Sequence, residues 1–408
     1  MKVLIYRWKA YNYMDIIAEF DALGIRVDII KHDLKKYDDD EEFIRMMISR
    51  LEETAYDFVF TVNYFAVIAE ACHAVGVPYC VWTCDNPLIS LYHESAFYDE
   101  NRIFTFDRSN YHELKLMGIK NVWYLPLAAG QSRIDNAIRE MDADVSEDMS
   151  EQERSLRLAG SRNRYIHDVS FVGSLYEKNS YDAMESFMPD YLRGYLDGVI
   201  NAQLNVSGGN IIEPMLTPDI MLEVEKYFRL EKSEKSFSNL PLIFSTTVLG
   251  FKVAAQMRVQ CLNALSKRMD VAVYSNSDTS QIPLCKGFGS VDYWTMLPVV
   301  FKKSKINLNF TIPNIKSGVP LRVWDVLSSG GFLMTNFTAE LLDFFEPDKE
   351  IVIFESEREL VEKCAYYLEH EDERERIAVA GYEKVRTRHT LKSRVEKIIG
   401  CLYSERQK

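Results

Sequence analysis

The sequence predicts an α/β protein made of two doubly wound domains. Apolar strands without polar alternation take turns with helices along residues 1–130, the mark of a parallel sheet covered on both faces. The same beat resumes near Asp168. At 408 residues the chain is also too long for one typical core.

Taken in order, residues 3–6 read as the first strand. Residues 14–23 read as a helix stopped by Gly24, 26–30 as a strand and 40–53 as a helix. Strands follow at 58–62, 79–83, 103–106 and 122–125. Between them lie helices at 65–75 and 109–117, stopped by Gly76 and Gly118. Residues 131–164 are polar, acidic and then basic, and read as a connection with some helix. A strand from Asp168 runs into a Gly173-Ser174 turn. Residues 180–235 carry only helical periodicity and read as a helical insertion. A helix at 253–267, a strand at 271–274 and a short strand at 290–293 come next. Strands at 306–310, 332–335 and 351–354 and helices at 357–369, 371–386 and 391–403 complete the chain.

A composition of 47% hydrophobic and 12% aromatic residues supports sizeable cores and excludes disorder. The net charge of −13 argues against nucleic-acid binding and against adhesion to an anionic membrane. Any phosphate site must therefore be a local basic spot. The N-terminus reads as a strand rather than a signal peptide, and no transmembrane segment is expected. Seven scattered cysteines read as free thiols in a reducing cytoplasm.

Residues 305–345 are the most informative stretch. An apolar strand (Ile306, Leu308, Phe310) leads to a polar loop ending in Ser317-Gly318, then to a helix with Arg322 and Asp325, and to a Gly330-Gly331 stop. Such a loop offers backbone N–H groups and the positive end of a helix dipole to a phosphate. Arg322 can add a charge-assisted contact. Asp325, three residues on, shares nearly the same helix face and can accept from ribose hydroxyls. The combination suits a nucleoside diphosphate.

Several segments together resemble a known family: SFVGSLYEKN (170–179), KSKINLNF (303–310), SGVPLRVWDVLSSGGF (317–332) and the tail at 366–390, supported by DFVFTVNYF (57–65), VPYCVWTCDNP (77–87) and FTFDRSNYHELKLMG (104–118). The chain is similar to group 1 glycosyltransferases of the GT-B fold, and more narrowly to their bacterial CgeB-like (spore maturation protein) branch. The resemblance implies two Rossmann-like domains: residues 1–165, joined by a C-terminal helix at 388–408, and residues 166–387, which hold the donor and carry the insertion at 180–235. It implies transfer of a hexosyl group from a nucleoside diphosphate sugar, a UDP-sugar first, to a hydroxyl on a glycan, protein or small molecule. No cofactor and no metal are implied, and the setting is cytoplasmic. Where the family has a glutamate that contacts the donor ribose, this chain has Asp325. Where a second, upstream glutamate contacts the donor sugar, it has Lys316-Ser317-Gly318, so retention and inversion both stay open. The alternatives are a sugar-nucleotide epimerase or hydrolase of the same plan, and a non-catalytic sugar-nucleotide-binding partner of a transferase.

Donor-side candidates are Gly173 and Ser174 after the domain's first strand, Ser275 and Asn276 after the 271–274 strand, and Tyr293 at the end of the 287–293 loop, with Ser317, Gly318, Arg322 and Asp325. Lys178 and Lys316 are further phosphate partners. As the catalytic base, Asp85 in Trp82-Thr-Cys-Asp-Asn-Pro87 sits just past a strand on the cleft side. His93 is its rival, and Asn63 and Tyr64 end a neighbouring strand. Asp142-Ala-Asp144 has a manganese-binding spacing but sits in an acidic linker, where a solvated charge run is expected.

Overall fold

The computed structural model describes residues 1–10, 12–141, 149, 154, 156, 163–230 and 232–406. Two six-stranded sheets, parallel at every pairing, form the frame. The first runs in the order β2-β1-β3-β4-β5-β6, with β1 Lys2–Tyr6, β2 Arg26–Ile30, β3 Phe58–Val62, β4 Tyr79–Trp82, β5 Asn101–Thr105 and β6 Val122–Tyr124. The second runs β12-β11-β10-β7-β8-β9. Its strands are β7 His167–Val172, β8 Val271–Tyr274, β9 Lys286–Gly287, β10 Ser304–Asn309, β11 Leu333–Asn336 and β12 Val352–Phe354. Strand β3 is buried at all five positions and β4 at all four, which explains why both read as unbroken apolar runs.

One sequence expectation is corrected here. Residues 290–293 are not a strand; the sheet edge is Lys286–Gly287, paired with Ala272 and Val273. The Asp292 carboxylate accepts from the amides of Trp294 and Thr295 instead. Such local bonds compete with strand pairing and here turn the chain toward the helix Leu297–Lys302.

Between β7 and β8 the described residues form helices and no strand, among them Asp190–Leu204 and Pro218–Val224. Their apolar faces make a separate core with Leu192, Leu196, Val199, Phe228 and Phe244. The helical run Leu240–Ser266 spans 27 residues and is long and apolar enough to cross a membrane, which the sequence reading did not expect. Over half of its apolar window is buried inside the protein, as a core helix would be. A π-helical turn, Ser245–Leu249, interrupts it. The Asn314 amide donates to the Thr246 carbonyl in that turn at 2.9 Å.

The last helix, Leu391–Arg406, returns to the first sheet. Val395, Ile398 and Leu402 share a core with Ile16 and Phe20 of the helix Tyr13–Ala22. That core continues through Phe106 and Leu127 to Leu297, Val319 and Trp324, so apolar packing joins the two halves. None of the seven cysteines forms a disulfide.

Candidate active site

In the second sheet the strand order reverses between β10 and β7, and open α/β sheets gather ligands in the crevice at such a point. Arg258 occupies it. The residue lies on the helix Gly250–Ser266, 8% exposed, and its guanidinium donates to the Ser174 carbonyl beyond β7 (2.6 Å) and the Phe310 carbonyl beyond β10 (2.9 Å). Its Nε has no hydrogen-bond partner among the described residues. The rings of Tyr176 and Phe171 lie 4.6 and 5.5 Å from it. Among the described residues no carboxylate pairs with Arg258. Burial lowers its pKa, and the neighbouring Arg322 pushes in the same direction. Two cations thus share a crevice at the carboxyl edge of the sheet.

Arg322 stands in the first turn of the helix Leu321–Ser328. Its Nη1 is 3.5 Å from Asp325 Oδ2, an ion pair without a hydrogen bond, and its guanidinium lies 5.4 Å from the Phe301 ring. The three-residue spacing foreseen in the sequence does bring the pair together. Asp325, however, is only 3% exposed, and its Oδ1 accepts from the Tyr293 hydroxyl at 3.1 Å. Burial raises its pKa against the pull of Arg322 and Arg133. A ribose would have to displace Tyr293 to reach that oxygen.

The amides of Ser317 and Gly318 are not open to a phosphate, contrary to the sequence expectation. Both donate to Asp107 Oδ2, at 2.9 and 3.0 Å. Asp107 follows β5 and caps the helix Arg108–Leu116 by accepting from the Asn110 amide. The physical reason is the one that favours phosphate: an exposed amide pair before a helix attracts an anion, and the facing half supplies a carboxylate. Gly318 permits the approach, since a Cβ there would lie 3.0 Å from Asp107 Cα and from the Phe106 ring. The exchange is reciprocal. Glu340, two residues after Thr338, accepts from the Arg108 amide and the Ser317 hydroxyl, both at 2.7 Å, and from the Tyr124 hydroxyl. Burial raises the Glu340 pKa.

The remaining donor-side candidates are scattered around this crevice. Gly173 abuts Arg258, whose Nη1 would lie 3.8 Å from a Cβ at that position. The Ser174 hydroxyl accepts from the Tyr176 amide, and Tyr176 holds a left-handed φ of 55°. Ser275 turns inward to accept from the Ser277 amide, while Asn276 is exposed. The Tyr293 carbonyl accepts from Arg133 at 3.1 Å, so that main-chain group is already in use. Lys316 is tied to Glu113 at 2.6 Å, and Lys178 is exposed.

On the first sheet, Asn63 follows β3 in a left-handed conformation (φ 65°) and organises the loop after β4. Its Oδ1 accepts from the Cys84 amide at 2.8 Å, and its Nδ2 donates to Asp85 Oδ2 at 2.6 Å. The Asp85 side chain is open to solvent at one side, yet the surrounding walls desolvate it enough to raise its pKa. The next residue, Asn86, donates to the Asn314 carbonyl at 3.2 Å, which ties this loop to the one leading to Ser317. His93 is different. It is 2% exposed beneath the segment around Ser236, its Nδ1 is bonded to Ser95 at 2.8 Å, and its Nε2 is enclosed without a partner. Neither ring nitrogen is reachable, so His93 is corrected from rival base to buried side chain. Tyr64 is likewise buried, its hydroxyl on Ser95. Asp142-Ala-Asp144 lies outside the described residues.

Sequence reasoning missed Arg258, Asp107 and Glu340. A signal existed for the first. Arg258 falls at core spacing among Ala254, Ala255, Cys261, Leu262 and Leu265, a charged residue on an otherwise apolar helix face.

Residues 258–400 match a protein-family model described as glycosyl transferase-like. No curated protein matches the chain in sequence. Among solved structures, the chain is similar to Anabaena HepE in complex with UDP and glucose (TM-score 0.56, 9% identity, 99% of this chain and 100% of that one). It is also similar to a UDP-forming trehalose-phosphate synthase from Burkholderia xenovorans (0.55, 12%, 98% of both chains). A third is sucrose-phosphate synthase from Thermosynechococcus elongatus (0.56, 8%, 99% and 98%). The architecture is the GT-B fold.

Proposed function

We propose that this glycosyltransferase moves a sugar from a nucleoside diphosphate sugar, UDP-linked by preference, to an acceptor hydroxyl on a glycan, protein or small molecule. The observation that carries the reading is Arg258, a buried cation without a carboxylate among the described residues, set beside Arg322 at the switch point of the second sheet. Burying an unpaired charge costs several kcal/mol, and a bound pyrophosphate would supply the missing anion. HepE, similar in fold, is a complex with UDP and glucose, which supports the choice of base.

In this reading residues 1–165 with 388–408 form the acceptor side and 166–387 the donor side. Arg258, Arg322 and the dipole of the helix Leu321–Ser328 stabilise the departing diphosphate electrostatically, with no metal in the step. Asp85, held by Asn63, removes the proton from the acceptor hydroxyl if the reaction inverts. Its raised pKa makes it a stronger base than a solvated aspartate. Placement in the CgeB-like branch and in the bacterial cytoplasm belongs to the same proposal, resting on the motifs at 170–179 and 317–332.

Calorimetric titration with UDP, ADP and GDP, followed by turnover assays with their glucose conjugates, tests the reading. Binding of one nucleoside diphosphate with hydrolysis or transfer of its sugar is expected. A folded protein that binds none of them would overturn it.

A further inference from the structure

A strap from the helical insertion, residues 235–237, lies across the first half of the molecule. It pairs antiparallel with His93 through Ser236. The Glu94 amide donates to the Lys235 carbonyl at 3.0 Å, and the Phe237 amide to the Tyr92 carbonyl at 2.9 Å. The Ser236 hydroxyl adds a further bond to the Tyr92 carbonyl. Lys235 pairs with Glu70 at 2.7 Å and lies 3.8 Å from Glu94. The Phe237 ring packs against those of Tyr92 and Phe97. These ties lie near the surface: the Lys235 side chain is 49% exposed and Phe237 37%. Half-exposed ion pairs hold weakly, and segments with few buried contacts open locally before the rest of a protein does.

Under this strap sits His93, in a setting that admits only the neutral ring. Its Nδ1 accepts from the Ser95 amide at 3.2 Å and so caps the turn Glu94–Phe97. An accepting Nδ1 carries no proton, which puts the ring's single N–H on Nε2. That Nε2 is enclosed and has no hydrogen-bond partner among the described residues. A second proton would have to go to Nδ1, where it would face the Ser95 N–H and break the cap. Four charged groups surround the ring: Glu70 on the helix Ala66–Val75, Glu94 beside it, Asp38 just before the helix Glu41–Glu53, and Lys235 on the strap. The three carboxylates favour a charged ring and Lys235 opposes it, yet burial prevails and holds the His93 pKa below its ordinary 6.5. Lifting the strap would remove the burial and Lys235 together and leave the three carboxylates in place.

We propose that residues 235–237 form an acid-released strap with His93 as its trigger, closed over the neutral ring and lifted when the ring takes a second proton. The strap fastens the insertion to the segment that follows the Asp85 loop, so acid frees that segment. The sign follows from linkage. The open state binds the proton more tightly, so closure is fully favoured above the ordinary histidine value and weakens as pH falls below it. Each pH unit by which closure depresses the ring's pKa makes opening about tenfold easier once pH is below both values.

The test follows amide hydrogen exchange of the whole protein at Glu94 and Phe237, corrected for intrinsic rates, from about pH 7.5 to about pH 5. Protection of both amides should fall about tenfold or more. That of Val59, which is buried and donates to the Pro78 carbonyl, should stay unchanged. His93→Asn keeps an acceptor for the Ser95 amide and does not titrate in this range, so its strap should stay protected throughout. Equal wild-type protection at both ends of the range, or the same acid loss in His93→Asn, overturns the proposal. If His93→Asn does not fold, the wild-type His93 ring resonance decides. A titration midpoint that coincides with the loss of protection supports the trigger, and one that does not coincide overturns it.

Discussion

Replacing Arg258 with methionine separates the guanidinium's structural role from its proposed ligand role, because the two have opposite consequences. Without nucleotide, the change removes charge-assisted hydrogen bonds to the Ser174 and Phe310 carbonyls, each worth about 1.5–3 kcal/mol. It also removes a buried cation that no carboxylate compensates, whose desolvation costs several kcal/mol. These terms largely cancel, so the unliganded protein should stay folded. With UDP the cancellation disappears. At a ligand concentration of one hundred times Kd, wild-type protein gains about 2.7 kcal/mol from binding. Loss of a charge-assisted contact of about 2.7 kcal/mol weakens Kd roughly one hundredfold, and the gain at the same concentration falls to about 0.4 kcal/mol. Urea unfolding with and without UDP reads both quantities on one sample. Arg258→Lys should fall between, retaining charge without the planar fork. Equal UDP stabilisation in wild type and a folded Arg258→Met variant would refute the reasoning.

Five further outcomes are expected. Asp85→Asn should lower transfer by about 10²–10⁴-fold while leaving UDP affinity near wild type; lost affinity instead would mean a binding role. Since the Asp85 pKa is raised, wild-type kcat/KM should fall as pH drops through that value, and the residual activity of the asparagine variant should lack the limb. Gly318→Ala drives a methyl against Asp107 and Phe106 at 3.0 Å, so a loss of about 1–3 kcal/mol, read by urea midpoint, is expected. For Glu340 the folded pKa lies above its usual 4.5, so its contribution to stability is present below that value and is lost as pH rises through the folded pKa. The wild-type minus Glu340→Gln difference in unfolding free energy should therefore decline as pH is raised from 4.5 toward 7, and a flat difference would contradict it. Finally, turnover of the donor should survive exhaustive treatment with EDTA, and an activity restored only by added manganese would show that a metal takes part.

Much of the fold was legible because each strand of a doubly wound sheet is buried on both faces and announces itself as an apolar run. Phe58–Val62 and Tyr79–Trp82 are examples found within a residue of expectation. The 290–293 segment failed because Val291 and Tyr293 have strand propensity, while Asp292 captures two amides for a turn. Arg322 and Asp325 were legible as a pair because three residues along a helix place two side chains side by side. Asp107 was not, since its partners Ser317 and Gly318 lie 210 and 211 residues away. His93 looked available only because a sequence does not show which loop covers it.

Periodicity and local chemistry in the chain itself determined the two parallel sheets and the glycine-bearing loop before Arg322. Only the tertiary structure decided which charges meet from distant parts of the chain. It brought Arg258 from an apolar helix face to the reversal of strand order, and it filled the Ser317-Gly318 amides with a carboxylate from the opposite half. The physical reason is range. Hydrophobic patterning and helix geometry act over a few residues and are written along the chain, whereas an ion's partner and its desolvation depend on every group within a few ångströms, and those come from anywhere in the sequence.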